Sequence, residues 1–198
     1  MRFIKERGLG NTIIISLCVL AFVINVIMGG GNRFWIFLTG GGNLLDYGQA
    51  QYELIFVKHQ FWRLVSCGYL HIGILHLCFN LSALWCLGNI VEKRLGTINY
   101  LLVYHLSIMI SAAVWCMIFR KETMAGASLG IFAVIGIFLI WVRLSKKKLL
   151  EYMPVRKRNY VIGYFIISNL ISPLTTAVHA ISFTLGAGYG LLKKENSL

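Results

Sequence analysis

One serine and one histidine, each near the start of an apolar stretch, are the residues of this sequence best suited to covalent chemistry. Ser128 lies between Gly126 and Gly130 in A-G-A-S-L-G-I-F, and His179 lies near the start of V-H-A-I-S-F-T-L-G. A histidine that accepts the proton of a serine hydroxyl turns its oxygen into a nucleophile. The pair therefore predicts serine nucleophilic catalysis, with Ser128 as nucleophile and His179 as base.

Small residues recur every four positions in both stretches, which favours two helices that pack closely. Gly126 and Gly130 would share one helix face, and a face without side chains lets a second helix approach. The histidine-containing stretch has the same spacing in Ser182, Gly186 and Gly190. We therefore expect these two helices to hold the serine and the histidine near each other.

The composition is that of an integral membrane protein. The chain has 198 residues, of which 58% are hydrophobic and 13% charged, whereas soluble domains carry about 25% charged residues. The five cysteines are scattered, mostly through apolar runs, where a free cysteine behaves as a small hydrophobe. We interpret residues 1–198 as one membrane domain without a separate soluble module.

The apolar runs predict an all-α polytopic membrane protein with six transmembrane helices. A long loop at 29–69, rich in glycine and aromatic residues, is expected to form short helices at the membrane interface. The charged residues 92–96 are expected to form a tight turn. The spans are predicted at approximately 11–28, 70–91, 98–119, 126–142, 159–171 and 176–192.

The distribution of positive charge predicts the orientation of these spans. Fourteen of the 19 Lys and Arg residues fall at the termini, in the 92–94 turn and in the 143–158 loop, which six spans place on one side. Positive residues are concentrated on the cytoplasmic side, so both termini are expected there. The same distribution explains the net charge of +12 without nucleic acid, and anionic lipid headgroups are the expected partners of the basic loop.

This orientation brings four polar side chains to similar depths below the outer face. Ser128 and His179 start their spans, while His76 and Asn80 lie one turn apart on the second. Polar groups within a bilayer tend to face the protein interior and mark function. We expect His76 and Asn80, with backbone N–H groups near Ser128, to stabilise the oxyanion of acyl transfer. Phe132, one turn below Ser128, is expected to hold the imidazole by stacking.

Other chemistries fit the sequence less well. His71 and His76 lack an acidic third ligand and the H-E-x-x-H pattern, so neither a metal nor another cofactor is expected. The G-x-S-x-G spacing around Ser128 lacks the preceding strand and the following aspartate of a hydrolase elbow. No carboxylate is expected near His179, which predicts a Ser–His dyad. The other polar residues within the spans, including Ser111 and Ser168, are interpreted as structural.

Taken together, the motifs resemble those of the rhomboid family of intramembrane serine proteases. The resemblance extends along most of the chain and in the family's order. It is carried by Trp62-Arg63, by the H-x-x-x-x-H-x-x-x-N pattern from His71 to Asn80, by the E-x-R-x-G pattern from Glu92 to Gly96, by Gly126-Ala127-Ser128 and by His179.

This resemblance implies a six-helix core around a water-filled cavity that opens to the outer side. It implies a Ser128–His179 dyad, with His76 and Asn80 at the oxyanion. The implied substrates are single- or multi-pass membrane proteins whose transmembrane helix unwinds locally. Two positions depart from the family pattern, since Leu129 and Ser182 stand where glycine is usual. Leu129 is expected to narrow the cavity or alter substrate choice.

We therefore predict an intramembrane serine endopeptidase of a bacterial plasma membrane, with its active site open to the outer face. A non-catalytic membrane chaperone or binding protein on the same scaffold is the alternative. A small transporter is a weaker one, because transporters place broken helices and ionisable groups near the bilayer midplane. Labelling by a serine-directed probe, and its loss in Ser128→Ala, would discriminate the enzyme from both.

Overall fold

The computed structural model describes residues 8–145, 148–151 and 153–193. The basic residues predicted for the cytoplasmic side at Arg2, Lys5, Arg7, Lys146, Lys147 and Lys194 lie outside this part. The described helices are α1 (Leu9–Met28), α2 (Arg33–Thr39), α3 (Asn43–Gly48), α4 (Arg63–Ser66), α5 (Gly73–Ala83), α6 (Asn89–Leu95), α7 (Thr97–Ile118), α8 (Ser128–Leu144), α9 (Lys148–Glu151), α10 (Val155–Leu170) and α11 (Pro173–Leu192). Two short strands, β1 (Ala50–Gln51) and β2 (Thr123–Met124), pair in antiparallel fashion.

Within the described residues, three helical segments are long and apolar enough to cross a membrane. They are α1, the combined segment Gly73–Leu95 and α7. Large apolar side chains stay exposed along α1 and α7, among them Leu20, Ile27 and Leu106. Such exposed stripes are compatible with a lipid environment. The protein is thus an integral membrane protein, and the number of six spans stays a prediction.

Helix α5 continues through a π-helical turn, Leu84–Gly88, into α6. The predicted charged turn at 92–96 is therefore wrong for residues 92–95, which are helical. The chain reverses at Gly96, where φ is +77°, a conformation that glycine adopts without strain. The next helix, α7, begins immediately afterwards.

Glu92, in the segment predicted as a tight turn, belongs to a buried polar network. Glu92 accepts hydrogen bonds from the backbone N–H groups of Gly10 and Asn11, each at 2.8 Å, and from the Thr97 hydroxyl at 2.7 Å. The Tyr100 hydroxyl donates to Asn11 Oδ1 at 2.9 Å. The Glu92 carboxylate thus caps the first turn of α1, where a helix has unpaired N–H groups and attracts negative charge.

Helix α8 is the central helix of the fold. Residues 129–138 are all buried, as expected for a helix that is apolar on every side. It packs against α7 and, over most of its length, against α11. A Cβ on Gly186 would lie 2.0 Å from the Ala133 carbonyl oxygen, and one on Gly136 would lie 2.3 Å from that of Phe183. These glycines therefore let the two backbones touch.

The predicted glycine face of Gly126 and Gly130 is wrong. Gly126 precedes α8, and Gly130 lies against the ring of Tyr104, which its Cβ would approach to 2.3 Å. The hydroxyl of Ser182, four residues before Gly186, lies 2.8 Å from that of Ser111 on α7. Small residues thus bring α8 and α11 together, but only part of the predicted set does so.

The outer loop holds the segment that precedes α8. Ala50 pairs with Met124 and Gln51 with Thr123 in the two-stranded ladder. The Gly126 N–H donates to the Cys67 carbonyl at 2.8 Å. These backbone bonds connect residues 123–126 to the loop before α5 and so fix the approach of the chain to Ser128.

The loop itself is organised around a buried arginine. Arg63 donates from one guanidinium nitrogen to the carbonyls of Asp46 and Gln49, at 2.8 and 3.0 Å. Its Nε donates to the Gln60 amide oxygen at 2.7 Å. Three acceptors thus satisfy a charge that would be costly to bury alone. The neighbouring Trp62 is exposed.

Candidate active site

The N-terminal parts of α5, α8 and α11 surround one cavity of about 620 Å³. Sites for organic ligands commonly have volumes of about 300–1,000 Å³. The cavity wall combines polar side chains from four helices with the segment before α8. Its lining includes His76, Asn80, Glu122, Thr123, Met124, Ala125, Ser128, Tyr164, Ser168 and His179.

Ser128 is the first residue of α8, two residues beyond the predicted start of the span. The first intrahelical hydrogen bond runs from Ile131 N–H to the Ala127 carbonyl. Within the described residues no side chain caps this end. Helix N-termini present unpaired N–H groups and a partial positive charge. The backbone around Ser128 can therefore receive a developing negative charge.

Gly126 gives this end of α8 its close contact with α5. Its φ is +148°, and a Cβ there would lie 2.9 Å from Cε1 of His76 and 3.6 Å from Ser128 Oγ. Any larger residue would meet both backbone strain and the imidazole ring. A glycine two residues before the serine thus brings His76 beside Ser128.

His179 is buried on α11 beneath an aromatic ring. The ring of Phe132 stacks on it with the centroids 3.8 Å apart and the planes at 9°. Its Nδ1 lies 3.2 Å from Asn169 Oδ1 on α10. In the described part of the chain, no hydrogen bond of 3.5 Å or less joins His179 to Ser128. Catalytic hydrogen bonds often tighten only when substrate binds.

His76 has its two ring nitrogens in different surroundings. Nδ1 accepts a hydrogen bond from the Ile72 N–H at 3.3 Å. A neutral imidazole that accepts at Nδ1 carries its proton on Nε2. That nitrogen lies on the side of Gly126 and Ser128, since a Cβ on Gly126 would be 3.0 Å from it. His76 can therefore donate a hydrogen bond beside Ser128.

Asn80 presents a free donor at the same cavity. Its Oδ1 accepts a hydrogen bond from the Tyr164 hydroxyl at 2.7 Å, while its Nδ2 is buried and has no partner among the described residues. Buried polar groups are nearly always paired, and each exception needs an explanation. The unpaired amide is explained if an oxygen of a bound substrate accepts its hydrogen bond.

Two residues with contacts at this site were not predicted from the sequence, namely Tyr164 and Asn169 on α10. Tyr164 and Ser168 are four residues apart and lie with Val161 on the buried face of that helix. The sequence shows this four-residue spacing, which indicates that the two residues share a helix face but does not indicate which residues of other helices they contact. Ser168, interpreted as structural, lines the cavity. Only the crossing of α10 over α5 and α11 shows what its side chains touch.

One further expectation about the surroundings needs correction. Leu129 is buried in the core and is not among the residues that line the cavity, so it does not narrow it. Glu122 is a carboxylate in the cavity lining, and no hydrogen bond between it and His179 is found in the described part. Within these residues no three His, Cys, Asp or Glu side chains are placed to hold a metal ion.

Comparison with known proteins places the chain in a family. The family model described as Rhomboid domain matches residues 58–194, more than half of the chain. The chain therefore belongs to the rhomboid family. The matched region begins in the outer loop and includes every side chain named above at the cavity.

Several relatives are named as proteases. Rhomboid protease GluP of Bacillus subtilis (strain 168) is 36% identical over 135 residues, covering 68% of this chain and 25% of that relative. Rhomboid protease GlpG of Enterobacter sp. (strain 638) is 31% identical over 141 residues, covering 71% and 46%. GlpG of Yersinia pestis (strain Pestoides F) is 30% identical over 142 residues, covering 69% and 45%. The chain thus matches less than half of each relative's length.

Proposed function

We propose that this protein is an intramembrane serine endopeptidase that cleaves transmembrane segments of membrane proteins. The observation that carries the proposal is the convergence of Ser128, His179, His76 and Asn80 on one cavity. Relatives named as rhomboid proteases support it. Each of the four side chains has a chemical group suited to nucleophilic attack, proton transfer or oxyanion stabilisation in acyl transfer.

In the first half-reaction, Ser128 Oγ attacks the carbonyl carbon of the scissile peptide bond, while His179 Nε2 takes the hydroxyl proton. The carbonyl π electrons move to the oxygen. That oxyanion accepts hydrogen bonds from His76 Nε2–H, from Asn80 Nδ2–H and from N–H groups at the start of α8. The intermediate collapses, His179 donates its proton to the leaving amine, and an acyl-enzyme remains.

In the second half-reaction, a water molecule gives a proton to His179 and attacks the acyl carbon. The ester bond to Ser128 breaks, the new carboxyl terminus departs and the proton returns to Oγ. The water must enter from outside the bilayer, which is consistent with a cavity whose lining includes the exposed residues Glu122 and Thr123. Stacking on Phe132 keeps the His179 ring in one plane during both transfers.

The length of α8 supports a site below the membrane surface. Its 17 residues span about 25 Å at ~1.5 Å per residue, whereas the hydrocarbon core is about 30 Å thick. A helix that reaches the cytoplasmic interface therefore begins below the outer one. We propose six spans, both termini in the cytoplasm of a bacterium and a cavity that opens to the outer face.

The decisive experiment for the function compares wild type with Ser128→Ala on a model transmembrane substrate in proteoliposomes. Cleavage and labelling by a fluorophosphonate probe are both expected to disappear in the variant. Ser168→Ala is the matched control, since it removes a second hydroxyl at the same cavity. Undiminished cleavage by folded Ser128→Ala would overturn the assignment.

The orientation is tested separately, because a protease facing the opposite side would have the same chemistry. Arg143 is exposed at the end of α8 away from Ser128. In a background without the five native cysteines, Arg143→Cys should resist impermeant thiol reagents in intact cells. Labelling from outside would invert the proposed topology.

A further inference from the structure

Besides Asn80, a second amide side chain lies at the site, and it contacts His179, the proposed base. Asn169 lies in the last turn of α10, and its Oδ1 is 3.2 Å from Nδ1 of His179. Its Nδ2 donates to the Phe165 carbonyl at 2.7 Å, one turn earlier in the same helix. The amide is thus held at both of its polar atoms.

These two contacts determine which way the amide faces. A carbonyl oxygen can only accept a hydrogen bond, so the group that meets the Phe165 carbonyl must be the NH₂ group. The oxygen of Asn169 therefore faces His179. Because an amide oxygen also only accepts, His179 must donate to it from Nδ1–H.

The position of this proton matters for catalysis. In a neutral imidazole with its proton on Nδ1, Nε2 carries the lone pair, and only an unprotonated nitrogen can act as a general base toward Ser128. At His76 the hydrogen bond runs in the opposite direction, since its Nδ1 accepts from the Ile72 N–H. The partners of the two histidines therefore favour opposite tautomers, with the proton on Nδ1 in His179 and on Nε2 in His76.

We infer that Asn169 is a positioning residue that holds His179 in the Nδ1–H tautomer and so makes Nε2 the base for Ser128. This inference rests on the proposed function of Ser128 and His179. It gives the site a Ser–His–Asn arrangement in which a neutral amide takes the place of the carboxylate that orients histidine in many serine hydrolases.

The backbone around Asn169 keeps this contact in place. The Thr176 hydroxyl donates to the Asn169 carbonyl at 2.7 Å and to the Ser172 carbonyl at 3.1 Å. Ser172 in turn caps α11, accepting from Thr175 N–H at 3.1 Å. The end of α10 and the start of α11 are therefore joined one turn before His179 on the helix that carries it.

The test reads the tautomer directly by ¹⁵N NMR of ¹⁵N-histidine-labelled protein in micelles, at a pH where the imidazole is neutral. The His179 signals are assigned by their loss in His179→Gln. Wild type is expected to show Nδ1–H. In Asn169→Leu, of similar size without an acceptor, the signals should move toward the Nε2–H form, whereas Asn169→Asp should restore Nδ1–H.

Kinetics give the second readout. Loss of one neutral hydrogen bond should lower kcat by about tenfold in Asn169→Leu, with KM unchanged, and Asn169→Asp should recover most of it. Thr184→Val is the matched control, because it removes an exposed hydroxyl on the same helix that bonds only to the Ala180 carbonyl and takes no part in holding Asn169. That variant should keep both the tautomer and kcat.

The outcomes separate this inference from the proposed function. An Nε2–H signal for His179 in the wild-type protein would overturn the role of Asn169. So would an unchanged tautomer in folded Asn169→Leu, even if Ser128 remained essential for cleavage. Conversely, a tautomer shift in Asn169→Leu together with an active Ser128→Ala would confirm the contact and overturn the proteolytic role of Ser128.

Discussion

Two buried polar clusters lie near opposite ends of the helix that runs from Gly73 to Leu95, and they differ in how completely they are paired. At the Leu95 end, Glu92 accepts three hydrogen bonds and Asn11 is bonded through both of its side-chain polar atoms. At the Gly73 end, Asn80 Nδ2 is buried without a partner in the described part, and Ser128 lines an open cavity.

This difference separates stabilisation from function. A fully paired buried network rigidifies the fold, whereas an unpaired buried donor costs free energy unless a ligand completes it. We therefore expect changes at the Glu92 cluster to lower stability and changes at the cavity to lower activity. The following predictions test this distinction, from the largest expected effect to the smallest.

The largest effect is expected for His179, the proposed base. Without an imidazole, Ser128 has no proton acceptor, and removal of one member of such a unit costs nearly as much as removal of all. His179→Ala should therefore lose both cleavage and reaction with a fluorophosphonate probe. The melting temperature in detergent should change little by comparison. Retained probe labelling would show that another group, with His76 the first candidate, acts as base.

The next effect concerns the oxyanion donors. Asn80→Ala should lower kcat by about 10²–10³, because removing one donor leaves the others in place. Probe labelling should persist. Asn89→Ala is the matched control on the same helical segment, since Asn89 accepts from Asn11 Nδ2 in the other cluster. Asn89→Ala should lower the free energy of unfolding and leave kcat unchanged. If Asn89→Ala lowered kcat and Asn80→Ala lowered only stability, the distinction between the two clusters would be wrong.

His76→Ala is a related prediction with its own diagnostic result. The Nε2–H of His76 faces the Ser128 side of the cavity, so its loss should lower kcat by about 10²–10³. The variant should still react with the probe, because His179 remains as base. If folded His76→Ala were as unreactive as His179→Ala, the roles of the two histidines would have to be exchanged.

A smaller effect, on the free energy of unfolding, is expected at the Glu92 cluster. Glu92→Ala removes the acceptor of the Gly10 and Asn11 N–H groups and should lower the free energy of unfolding by about 2–3 kcal/mol. Unfolding in mixed micelles measures this. Glu151→Ala, at an exposed carboxylate, should change it by less than about 0.5 kcal/mol. Normal stability of Glu92→Ala would remove the distinction between the clusters.

The smallest effect is expected at Tyr164, whose hydroxyl holds the Asn80 amide. Tyr164→Phe should lower kcat by about tenfold, the size of one hydrogen bond, by letting the amide turn. Tyr160→Phe is its control one turn earlier, because the Tyr160 hydroxyl bonds to the Phe79 carbonyl and Tyr160 is not among the residues that line the cavity. Equal kcat in both variants would argue against positioning of Asn80 by Tyr164.

The sequence by itself determined much about this protein, because covalent connectivity and periodicity fix local structure. Its apolar composition indicates a membrane protein, and the family motifs name Ser128, His179, His76 and Asn80 as candidates. In the structure, all four of these side chains line one cavity. Their catalytic roles stay predictions until the variants are measured.

Only the tertiary structure decided the contacts between distant segments. Gly130 meets a tyrosine where spacing predicts a helix backbone, and Glu92 caps α1 where the sequence predicts a tight turn. Asn169 and Tyr164 lie on α10 and belong to no motif in the sequence, and they contact the site because this helix crosses two other helices. Local patterns show which face of a helix is buried, but the angle at which helices cross selects the atoms that meet.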